Sequence, residues 1–173
     1  AIQFVNAIAI GTAGAALVGQ NIGAGRPDRA GQVVRTGLGW IVWISIAMSA
    51  VFMLFPDAFL SLFTRDAGVH GVGVPYLRVL ALCLPFTGVE IVTTEAIVGS
   101  GHTAMLSWIF IAFSALRIPL AFLVPQWTHS GVIGIAWLIT ATCVLRASLI
   151  VAWAARGTWK RGLGAELHGA EGS

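Results

Sequence analysis

The chain has 173 residues, 57% of them hydrophobic and 10% charged, and a net charge of +3; a soluble domain carries about 25% charged residues. That composition leaves too little polar surface to face water and excludes an ordinary soluble domain. The basic residues gather at the ends of apolar segments, as membrane topology requires, so the expected partner is a lipid bilayer and not nucleic acid.

Charge-free stretches cover residues 1–25, 36–56, 96–116 and 118–145. A hydrocarbon core about 30 Å thick needs roughly 20 apolar residues of helix at about 1.5 Å each. Taken along the chain, these runs predict an all-α integral membrane protein with five transmembrane helices, over residues 2–22, 37–55, 72–98, 104–124 and 131–155. Glycine and proline mark the breaks at 23–27, 99–101 and 125–130, and Pro56-Asp57 stops the second span. Pro27–Val34 reads as a short interfacial helix, with Pro27 in its first turn. Residues 1–161 then form one transmembrane unit, and 162–173 a disordered cytoplasmic tail.

Orientation follows from Lys and Arg. Arg26, Arg29 and Arg35 in the first connection and Arg156, Lys160 and Arg161 after the last span fall on one face, against Arg65 on the other. The richer face is expected to be cytoplasmic, which places the C-terminus inside. The chain opens within an apolar run with no basic segment before it, the pattern of a fragment lacking its N-terminal portion.

In the first span Gly11, Ala15, Gly19 and Gly23 recur every four residues. No Lys-Ser/Thr follows these glycines, so a phosphate-binding loop is excluded and a smooth stripe for close helix packing is expected. Cys83 and Cys143 lie in apolar segments and read as small hydrophobes. His70, His102, His129 and His168 are scattered, so neither an enzyme site nor a metal or other cofactor is expected.

Charges inside spans need a reason, because each costs about 2.5–3.5 kcal/mol on insertion scales unless solvated or paired. Arg78 is near enough to one end of its span to snorkel, and Glu95 near enough to the other to reach water. Glu90, Arg117 and Arg146 lie deeper. From the helical rise, Glu90 falls about 7 Å and Arg146 about 4–5 Å to the cytoplasmic side of the midplane, and Arg117 about 4–5 Å to the outer side. Glu90 and Arg146 can therefore meet, either as a structural ion pair or with Glu90 handling a proton or cation. Pro85 and Pro119 break helices near midplane, and each frees a carbonyl that protein or a cavity must satisfy. Thr87, Thr93 and Thr94 follow Pro85 and either line such a cavity or donate to their own helix. Trp127 and Trp159 suit interfacial belts. Trp108 and Trp137 face either lipid or a pocket for flat organic cations.

Three groups of segments, in this order, carry a family resemblance. ALVGQNIGAGRPDRA over 16–30 resembles the stretch ending the second helix of each half in MATE-family multidrug and toxin extrusion transporters. YLRV over 76–79, LPF over 84–86 and AIVGSGHT over 96–103 resemble the family's tenth helix and its exit loop. RIPLA over 117–121 and GIAW over 134–137 resemble helices eleven and twelve. The resemblance covers residues 4–161. It implies helices eight to twelve of a twelve-helix, two-lobe antiporter that exchanges H⁺ or Na⁺ for organic cations by alternating access in the cytoplasmic membrane. The remaining partner would be the missing N-terminal lobe. Many members read Ala-Leu-Arg-Gly-x-Gly-Asp-Thr where this chain has Val98 for the Arg and His102 for the Asp. Some members also place a coupling carboxylate near the position of Thr87; here Glu90 stands one turn further on. The coupling-ion or substrate candidates are thus Glu90, Thr87, Thr94, Arg117 and Arg146. The alternatives are a flippase for lipid-linked oligosaccharides, which would use Arg117 and Arg146, or a membrane enzyme or scaffold subunit.

Overall fold

Lipid offers no partner to a backbone N–H or C=O, so long apolar runs close their hydrogen bonds internally as helices. The computed structural model describes residues 2–128 and 131–160. They form α1 (Ile2–Gly23), α2 (Pro27–Leu54), α3 (Pro56–Ser61), α4 (Ala67–Gly99), α5 (Thr103–Thr128) and α6 (Gly131–Ala155), with a 3₁₀ turn at Thr158–Lys160. All but α3 are long and apolar enough to cross a membrane, five in total. The tail over 162–173, the link at 129–130 and the Trp127 side chain lie outside the described residues.

Three local expectations change. The segment Pro27–Val34 is not a separate interfacial helix but the first turns of α2, because Pro27 at the helix start removes an N–H that had no partner anyway. Pro56 ends the second span as expected, then begins the short α3 by the same rule. Trp159 is buried, not displayed at an interface, and its indole N–H donates to Ala154 O at 2.8 Å.

Helix α4 is the hub, packed against α1, α2 and α6, while α5 sits outside against α6. Asp66 caps its start, accepting from the N–H groups of Gly68 (2.7 Å) and Val69 (3.2 Å). Gly25 (φ 69°) and Gly101 (φ 90°) take the left-handed conformation at the turns into α2 and α5.

The small-residue stripe does pack, over three of its four positions. Gly11 lies against Glu95, and the backbones of Ala15 and Gly19 lie against Gly99 of α4. A Cβ on Gly99 would overlap the Ala15 backbone, which cannot yield as a side chain can. A Cβ at Gly23 would meet nothing within 4 Å among the described residues, so the stripe ends at Gly19. Gly88 marks the crossing of α1, α2 and α4: a Cβ there would fall 2.5 Å from Ser45 Oγ and 2.9 Å from Gln3 Nε2. Those two buried groups hydrogen-bond each other, Gln3 donating.

Gly99→Val is expected to destabilise the protein by about 3 kcal/mol or more, at or beyond the upper end of ordinary overpacking. Gly23→Ala should leave stability unchanged or slightly raised. Thermal unfolding in detergent compares the two.

Candidate functional site

Proline 85 has no N–H for the carbonyl four residues back, Ala81 O. Ser49 of α2 supplies the missing donor, its hydroxyl reaching Ala81 O at 2.8 Å. Gln3 of α1 also reaches the break, its amide 3.4 Å from Leu84 O, and Thr140 of α6 donates to Val79 O at 3.2 Å. The proline break in α4 is thus held from three helices. Ser49 and Gln3 drew no notice in the sequence, because their partners lie 32 and 81 residues away.

Beyond this break, residues 87, 90, 91, 94 and 95 share one face of α4 and form the floor of an open-sided groove. Phe4 and Ile8 of α1 supply one side; Phe110 of α5 and Arg146 of α6 supply the other. Its volume, about 280 Å³, lies just under the 300–1,000 Å³ of typical ligand pockets. These helices leave the groove open on one side.

The expected meeting of Glu90 and Arg146 occurs in this groove. Arg146 Nε lies 2.7 Å from Glu90 Oε1. Its N–H is not aimed at that oxygen, so the contact is an ion pair without an aligned hydrogen bond. The Arg146 guanidinium also stacks over Phe110, 4.8 Å from the ring centroid, which holds it from the far side. Glu90 is 3% exposed, and its second oxygen, Oε2, has no hydrogen-bond partner. An unpartnered carboxylate oxygen at such depth is a ready acceptor for a proton or cation.

The threonines divide. Thr87 donates to Cys83 O at 3.0 Å and Thr93 to Val89 O at 2.7 Å, so their hydroxyls are spent on their own helix. Thr94 lines the groove, and its Oγ1 is buried with no hydrogen-bond partner among the described residues. Arg117 does not join Glu90. It bridges α5 to α6, donating to Thr142 Oγ1 at 2.7 Å and reaching Ile139 O at 3.5 Å and Cys143 Sγ at 3.6 Å. Trp108 and Trp137 are 73% and 53% exposed and line neither the groove nor the Arg117 site. Glu95, which its depth alone marked as a residue reaching water, lies in the groove beside Thr94.

Residues 1–123 match the MatE family. A probable multidrug resistance protein NorM of Thermotoga maritima is 26% identical over 164 residues, covering 92% of this chain and 35% of that protein. A second protein of that name, from Caulobacter vibrioides, is 30% identical over 141 residues, covering 77% of the chain and 28% of the relative. Protein DETOXIFICATION 29 of Arabidopsis thaliana is 26% identical over 148 residues, covering 85% and 29%. The chain spans about a third of the length of these curated relatives.

Arg146→Ala strands the buried Glu90 charge and is expected to destabilise the protein by about 3–5 kcal/mol. The double variant Glu90→Gln/Arg146→Gln should recover most of that loss, because no lone charge remains. A double-mutant cycle followed by unfolding in detergent measures the coupling.

Proposed function

This chain belongs to the MatE family, and from that premise we propose that it forms one wall of the cleft of a cation-coupled efflux transporter. In this reading the transporter exports organic cations across the cytoplasmic membrane by alternating access, driven by H⁺ or Na⁺. The chain's C-terminal end is cytoplasmic, a reading supported by the excess of Lys and Arg on that side. The opposite wall comes from another lobe of the same transporter, which suits both the open-sided groove and the relatives' greater length.

One observation carries the reading: a buried carboxylate, Glu90, paired on one oxygen and without a hydrogen-bond partner on the other among the described residues, in an open-sided groove. A proton or Na⁺ at Oε2 neutralises the carboxylate and weakens its hold on Arg146. That frees Arg146 to change partner and alters the groove's charge between the two access states. The carboxylate some MATE members carry near Thr87 is absent, and Glu90 takes its role from one turn along. The flippase alternative draws less support at Arg146, whose guanidinium is paired with Glu90 and does not stand free for a pyrophosphate.

In the full-length protein, Glu90→Gln is expected to abolish pH- or Na⁺-driven drug efflux while membrane insertion stays intact. Efflux assays in vesicles with an imposed gradient test this; unchanged efflux removes Glu90 as the coupling site.

A further inference from the structure

Helices α5 and α6 each carry one charged residue, and both are arginines. Arg117 and Arg146 line the same small cavity, together with Phe113, Ser114 and Thr142. Its volume is about 10 Å³, room for about one water-sized group. Only one of the two cations is matched by an acid. Arg146 meets Glu90, whereas Arg117 meets a hydroxyl, a carbonyl and a thiol, those of Thr142, Ile139 and Cys143. Among the described residues no other acid lines the cavity. Glu95 stands beyond Glu90 on α4 and lines the groove, and Asp28, Asp57 and Asp66 lie at helix ends. Glu90, Arg146 and Arg117 together therefore leave one positive charge inside the spans, where a charge without a counter-ion or water is costly.

Hydrogen-bond donors are left over as well. Arg146 Nε is buried without an aligned acceptor, and among the described residues nothing accepts from the rest of its guanidinium. Arg117 engages Thr142 through Nε at 3.3 Å and Nη2 at 2.7 Å, while its Nη1 has no acceptor among the described residues. The Ser114 hydroxyl has no partner there either. Thr142 is different: its own proton goes to Leu138 O at 2.8 Å or Ile139 O at 3.0 Å, so it holds Arg117 in place and donates nothing to the cavity.

We propose that this cavity binds a single small monovalent anion, chloride, between Arg117 and Arg146. The anion accepts from the N–H groups that the two guanidiniums leave over and from the Ser114 hydroxyl, and the local charge comes to zero. A phosphate or sulfate is too large for the space. The site stands apart from the efflux reading, but Arg146 lines both this cavity and the groove. Neutralising Glu90 leaves the anion two positive charges to offset instead of one, so it tightens anion binding. By reciprocity, a bound anion favours the neutral form of Glu90.

The test uses the purified full-length protein in detergent, with sodium chloride exchanged for sodium gluconate at constant ionic strength. Thermal unfolding is followed against chloride concentration, because a ligand bound only by the folded state raises the midpoint. The wild-type midpoint is expected to rise with chloride and level off, and bromide should replace chloride. Glu90→Gln should move that curve to about tenfold lower chloride, within the usual range of coupling between sites. Arg117→Gln should lose the chloride dependence. Wild-type crystals soaked in bromide carry the test if that variant does not fold: an anomalous peak is expected between the two guanidiniums. A wild-type midpoint indifferent to chloride against gluconate overturns the site. So does a chloride dependence that survives Arg117→Gln, or a bromide-soaked crystal with no peak in this cavity. Equal chloride affinity in wild type and Glu90→Gln overturns the coupling through Arg146.

Discussion

A polar group in hydrocarbon must be met by the protein itself, and α4 strains that constraint twice within five residues. Pro85 leaves Ala81 O without its helical donor, and Glu90 brings a carboxylate into the interior. Each demand is answered from a different neighbour: Ser49 on α2 caps the freed carbonyl, and Arg146 on α6 meets the charge. Gln3 on α1 joins at the same level. The packing of α1, α2 and α6 around α4 therefore does more than fill space. It supplies the polar partners without which α4 would have no stable place in a membrane. The bare backbones of Gly88 and Gly99 let those neighbours come close enough to do so.

Satisfaction is uneven around α4, and the unevenness lies on the face that the proposed function uses. Toward α2 the freed carbonyl is answered and the packing is tight. Toward the groove, Glu90 Oε2 and Thr94 Oγ1 have no hydrogen-bond partner among the described residues, and no described cationic side chain pairs with Glu95. A helix fixed on one side and left polar on the other suits a transport wall, because a firm scaffold keeps binding groups in place while ligands come and go. Arg117 contributes to the scaffold, tying α5 to α6 through Thr142. Cys83 and Cys143, buried side by side on α4 and α6, belong to that packed interior as well.

Much of this was readable from the chain. Charge-free runs locate spans because the bilayer excludes charge over a fixed thickness, and all five appear within a few residues, apart from the ends lengthened at Pro27 and Ala67. The Glu90–Arg146 pair followed from depth alone, since two opposite charges at similar depth have few other partners. For Glu95 the depth rule gives its distance from water but not the face it occupies, and its place in the groove was a matter of face. Pro27 was placed at a helix start, but that helix runs on as α2, and Pro56, read as a stop, also begins α3. Ser49 and Gln3 were invisible because their roles depend on a tertiary crossing that no local pattern encodes. Thr87 and Thr94 could not be told apart by sequence; the back-bond to Cys83 O decides for one and its absence for the other.

The central claim is that the α4 face bearing Glu90, Thr94 and Glu95 borders the path a substrate takes. The most direct measurement places a single cysteine at Thr94, in full-length transporter with Cys83 and Cys143 replaced, and follows its reaction with a membrane-impermeant thiol reagent. Thr94→Cys is expected to label, more slowly when ethidium is added and at a rate that changes with the imposed ion gradient. A cysteine there that never labels from either side of the membrane, or labels at a rate indifferent to both substrate and gradient, would contradict it.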